Sequence, residues 1–149
     1  MKIANKIFLC MLVMILAFSF VGNAFAAMSA KKTWSSSVCK SSFTTSAYIT
    51  KGTFAFPYDE SYWDLFIVTP TSIEHSNGSV PKLNATPKCT DGTTMGNKTS
   101  IWEDESKEIN SNTWDTDKTN VKLLIANPYT GGNSNMKSAG NFEGVYLAA

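Results

Sequence analysis

Apolar and polar residues alternate with a period of two along much of this chain. In "FTTSAYIT" (Phe43–Thr50), Phe43, Thr45, Ala47 and Ile49 share one face. In "TNVKLLIA" (Thr119–Ala126), Val121, Leu123 and Ile125 do the same. That period is the strand period. "TFAF" (Thr53–Phe56), "YWDLFIVT" (Tyr62–Thr69), "TSIW" (Thr99–Trp102) and "NFEGVYL" (Asn141–Leu147) add four further β-rich runs, the second ending at Pro70. Short strands separated by turn residues predict an all-β chain. The expected fold is a single antiparallel β-sandwich, immunoglobulin-like or jelly-roll-like.

Three stretches break this rhythm. "SIWEDESKEI" (Ser100–Ile109) places Ile101, Glu105 and Ile109 on a helical row, and Ser100 with Glu103 matches a capping box; the reading preferred is a polar connection. From His75 to Lys98 the chain is polar and rich in Gly, Pro and Asn, with only Val80–Leu83 suited to an edge strand. Near the end, two apolar runs flank "NPYTGGNSN" (Asn127–Asn135). Met136, Ser138, Gly140, Phe142, Gly144 and Tyr146 share a face, so the last strand is expected to begin near Met136. Gly140 and Gly144 read as bulges or points of close approach, and the connection as a hairpin loop. Asp64 stands out in an otherwise apolar run, where a carboxylate needs a partner, an edge or a bulge.

The first 26 residues change the setting. Lys2 and Lys6 precede an apolar run from Ile7 to Val21, and Ala24 and Ala26 flank Phe25. This is the pattern of a secretory signal peptide cleaved after Ala26. Residues 1–26 are therefore read as a cleaved leader and 27–149 as one β-sandwich domain, secreted or extracellular, with association with the cell wall as a further expectation. No second segment approaches the length of a membrane span. Cys10 falls in the leader, leaving Cys39 and Cys89. In an exported chain an even pair reads as a disulfide, closing a loop worth ~3–4 kcal/mol.

The chain has 13 Lys plus Arg against 12 Asp plus Glu, and every cation is lysine. That near-neutral balance gives no electrostatic case for nucleic acid. Without arginine there is no bidentate clamp for phosphate or carboxylate. His75 is the single histidine. It lacks a G-x-S-x-G elbow and is read as an exposed loop residue, so catalysis is not expected. Acids cluster at "EDESKE" and "DTD", but a cluster alone does not define a hydrolase pair. Asp115 and Asp117 in "DTDKTN" alternate oxygens as calcium loops do, without the Gly and distal Glu of an EF-hand; no cofactor or metal is assigned.

Aromatics are the best binding material. Trp34 and Trp114 sit in polar surroundings ("KKTWSS", "SNTWDTD") and are expected to be partly exposed, while Tyr129 and Asn133 lie in the terminal loop. Such rings suit stacking on a cell-wall glycan or contact with a surface protein. The strand "VKLLIANP", the polar loop and "MKSAGNFEG" resemble the C-terminal part of small secreted β-proteins of Gram-positive bacteria, whose neighbouring groups include bacteriocin-like peptides. The resemblance carries over no site residue. The expected function is non-enzymatic binding or packing at the cell envelope or outside the cell. The rivals are a secreted bacteriocin- or toxin-like protein and a small carbohydrate-binding module.

Overall fold

The computed structural model describes residues 27–35, 38–54, 60–129 and 134–149. The expected leader, its cleavage site, Cys10 and Asn133 lie outside the described residues. Among the described residues nine strands follow one another: β1 (Ala27–Ser35), β2 (Ser42–Thr44), β3 (Ile49–Thr50), β4 (Ser61–His75), β5 (Lys82–Cys89), β6 (Thr99–Trp102), β7 (Lys107–Asn110), β8 (Asn120–Ala126) and β9 (Met136–Ala148). The described residues contain no helix, and "SIWEDESKEI" holds β6, a turn and β7. One antiparallel sheet has the order β1-β9-β4-β7; the other runs β2-β8-β5-β6, with β3 also on β8. The all-β antiparallel expectation holds.

Only β5 and β6 are both consecutive and paired. The step from β8 to β9 crosses from one sheet to the other. The expected terminal hairpin is therefore an inter-sheet crossover. Both edges of β8 are taken by β2, β3 and β5, and both edges of β9 by β1 and β4. The strands have no free edge left to share with each other.

β9 is regular: every second residue from Met136 to Ala148 is buried, as its period-two pattern predicts. Its partner β4 is longer than expected and continues through Pro70 to His75. Burial along β4 changes phase twice, where the register shifts between Trp63 and Leu65 and again between Pro70 and Ser72. Asp64 is the extra residue of the first bulge, exposed, and its carbonyl accepts Ser111 N–H at 2.8 Å. The bulge explains a carboxylate amid apolar neighbours: it swings outward while Trp63 and Phe66 stay inside.

Two prolines sit inside long strands because the ladder ends beside them. β7 pairs β4 only from Leu65 to Val68, and beyond it Pro70 O accepts Asp104 N–H at 2.8 Å. β6 pairs β5 only from Lys82 to Ala85, and beyond it Pro87 O accepts Met95 N–H at 2.9 Å. A residue's N and O point to the same side of a strand, so each missing N–H falls where no neighbouring strand asks for it. Reading Pro70 as a strand end, and the Gly-, Pro- and Asn-rich stretch from His75 to Lys98 as holding no long strand, missed this.

The sheets share one core, built from Trp63, Phe66, Val68, Leu83, Ile101, Val121, Leu123, Ile125, Phe142 and Tyr146 among others. Each large side chain taken fully out of water contributes ~1.5–3 kcal/mol. Trp63 lies centrally, with Tyr146 edge-on at 5.4 Å and its Nε1–H donated to Lys118 O at 2.8 Å. Gly144 is a point of close approach: a Cβ there would stand 2.5 Å from Trp63 Cζ3.

The expected Cys39–Cys89 disulfide is absent, and both cysteines are free thiols. Cys39 bridges to Met136 at one end of the sheets, whereas Cys89 pairs with Val121 at the other. Val121 to Ala126, the partner of Ser42, already spans ~17 Å of strand, against the ~7 Å between Cα atoms that a disulfide tolerates.

Candidate functional site

Four elements converge at the Met136 end of the sheets. His75 closes β4, Lys82 opens β5, Trp102 closes β6, and Tyr129 lies just after β8. His75 is buried at the end of a strand, not exposed in a loop as expected from its polar context. One ring nitrogen, Nε2, lies 2.9 Å from Lys82 O. A carbonyl only accepts, so Nε2 donates this bond. Nδ1 is buried and meets no hydrogen-bond partner among the described residues.

Tyr129 stands edge-on to His75, with ring centroids 4.9 Å apart at 86°. Lys82 Nζ lies 5.4 Å from the Tyr129 ring and 5.6 Å from the Trp102 ring. The ammonium thus sits within cation–π range of both aromatics. Trp102 is 47% exposed and Tyr129 half-buried, so both rings remain available on this surface. Tyr129 is placed by Asn127, which is buried. Asn127 Oδ1 accepts Tyr129 N–H at 2.9 Å, while its Nδ2 donates to Lys40 O and Ser134 O. The β6–β7 turn is pinned to β4 by Ile73 N–H, donated to Glu103 Oε2 at 2.6 Å. Also at this end is an open pocket of about 340 Å³ lined by Val38, Glu74, His75, Ser76, Asn135 and Lys137.

The other expected site residues go elsewhere. Trp34 is 5% exposed: its ring covers Gly140, its cross-strand partner, and its Nε1–H is donated to Ser138 Oγ at 3.4 Å. The expectation of an exposed ring there is corrected, because β9 offers a glycine-sized gap that the indole fills. Trp114 is 79% exposed and lies beside Tyr62, with ring centroids 5.9 Å apart at 30°, in the loop between β7 and β8. Tyr62 belongs to the end of the molecule opposite Tyr129, so Tyr129, Trp34 and Trp114 do not form one site.

Asp115 and Asp117 lie in that same loop. Asp115 Oδ1 accepts Asp117 N–H at 2.9 Å, and its Oδ2 stands 3.8 Å from Lys118. Lys118 in turn binds Asp91 at 2.7 Å. The described residues hold no cluster of three or more His, Cys, Asp or Glu side chains able to hold a metal. Lysine takes the cationic position instead. Lys51, 8% exposed, donates from Nζ to Ser61 O at 2.5 Å and Thr116 O at 2.8 Å. Burial pushes this ammonium below its ordinary value, and Asp115, Asp117 and Glu60 oppose the shift.

Comparison with protein-family models, curated proteins and solved structures finds no match. No helix among the described residues is long and apolar enough to cross a membrane. Sequence reasoning singled out Tyr129 but missed Lys82, Trp102 and the burial of His75. The missed signal is the alternation of Leu83, Ala85, Pro87 and Cys89, which marks β5 and so places Lys82 beside β4 and β6.

Proposed function

We propose that the chain is an exported, non-catalytic protein, its two sheets stacked as a sandwich, that acts by binding at the cell envelope or outside the cell. The partner class is a polyhydroxylated glycan, met by the Trp102–Lys82–Tyr129 surface. One observation carries this reading: a half-exposed indole and a half-buried phenol share a single lysine at the strand ends, with the phenol backed by a buried histidine. Aromatic faces stack on the apolar faces of sugar rings, and a neighbouring ammonium donates to hydroxyls. The leader pattern and the resemblance to small secreted Gram-positive proteins support export.

The test is co-sedimentation of residues 27–149 with isolated wall, membrane and glycan fractions. We expect retention on a glycan-bearing fraction, weakened roughly five- to tenfold by Trp102→Ala and by Tyr129→Ala. Failure to sediment with any fraction defeats the envelope role. Full retention by both variants moves the contact away from this end, with the Trp114–Tyr62 pair the next surface to substitute.

A further inference from the structure

The pocket beside His75 has a different chemistry from the aromatic surface. Glu74 and Lys137 are cross-strand partners on β4 and β9, both exposed, and both line it. Opposite charges on facing residues ordinarily attract and close. Among the described residues the ion pairs are Lys107–Glu105, Lys118–Asp91 and Lys118–Asp115, so the Glu74–Lys137 rung is left open. His75, nine-tenths buried, contributes to the same wall, and its buried Nδ1 meets no hydrogen-bond partner among the described residues. Val38, largely exposed, adds an apolar side.

We propose that this pocket binds a small zwitterion of the α-amino acid class. The ligand ammonium is held by the Glu74 carboxylate, with the His75 ring in the wall beside it as the reporter of occupancy. The ligand carboxylate faces Lys137, and its side chain lies along Val38. A neutral sugar would leave both charges unanswered, and a dicarboxylate would set one anion against Glu74. The volume of about 340 Å³ is at the small end of ligand pockets. No ligand-contacting side chain is shared with the Trp102–Tyr129 surface, so envelope co-sedimentation and occupancy of this pocket fail separately.

The experiment is an NMR titration of the ¹⁵N-labelled chain 27–149 that follows His75 Nδ1. The probes are L-leucine, leucinamide (no carboxylate) and 4-methylpentanoate (no ammonium). L-Leucine is expected to shift Nδ1 saturably, and each single-charge analogue to bind roughly ten- to hundredfold more weakly. Glu74→Gln and Lys137→Gln, both at exposed positions that leave the core intact, should each weaken L-leucine by a similar factor. No saturable shift with L-leucine, equal binding of either analogue, or undiminished binding by both variants overturns the proposal. So does an oligosaccharide of N-acetylglucosamine that shifts Nδ1 while L-leucine does not.

Discussion

Gly144 shows how far a single residue is set by its neighbours. Its hydrogen faces the Trp63 ring, and Ile49 from the other sheet closes the same space. Gly144→Ala must push Trp63 or Ile49 aside, and overpacking of this kind costs about 1–3 kcal/mol. Urea unfolding should show a lower midpoint with an unchanged slope. The role of Gly144 was legible in sequence, since a glycine on the inward face of an alternating strand signals close approach. That of Trp34 was not. Its neighbours are polar because β1 is an edge strand, exposed along nearly all its length, and the indole alone turns in to cover Gly140.

Among the elements, β6 was bounded to the residue, and β8 and β9 to within one or two, but the alternating run Phe43–Thr50 is broken into β2 and β3. The strand expected over Thr53–Phe56 does not form at Thr53 and Phe54, its two remaining residues lying outside the described ones. β1 and β5 were hidden, the first by its exposure and the second by Lys82, Asn84, Thr86, Pro87 and Lys88. The site suffered most, because its chemistry sits at the start of β5. Lys51 belongs at this scale, since it ties the segment after β3 to the start of β4 and to the β7–β8 loop. Lys51→Met removes the donor for two carbonyls, about 1–3 kcal/mol for each one left unsatisfied. The ammonium's lowered affinity for its proton adds a pH signature. Above the folded-state value and below the ordinary lysine value of 10.5, the unfolded chain binds more protons than the folded one, so stability rises with pH. Urea midpoints of the wild type should therefore gain on those of Lys51→Met as pH climbs through that window. A constant gap between the two curves would show that Lys51 does not titrate differently on folding.

For the whole molecule, the two free thiols replace an expected staple, so stability must come from the shared core. Cys39 is half-buried and its thiol is pushed up by burial; Cys89 is buried. Native protein of residues 27–149 should react slowly with a thiol reagent at Cys39 alone, and unfolded protein at both. The thermal midpoint should not fall when a reductant is added. A protein that reacts at neither thiol even when unfolded, and loses stability on reduction, would restore the disulfide. The all-β class was readable from periodicity, but the path of the chain between sheets was not. Pairing depends on which edges are already occupied, and no local pattern records that.

The two strand prolines bear on behaviour in a crowd. Pro70 and Pro87 lie on long strands just beyond the short strands that flank them, where only loop residues cover the side of the strand. Each presents a carbonyl already bound to an amide of the loop beyond, Asp104 for Pro70 and Met95 for Pro87, and no N–H. A strand from a second molecule arriving there finds no hydrogen to accept, so the ladder cannot be continued from chain to chain. For a protein held together without a covalent cross-link, these two rings leave nothing to pair where β4 and β5 outrun their short neighbours, so any growth of the sheets is confined to the outer strands.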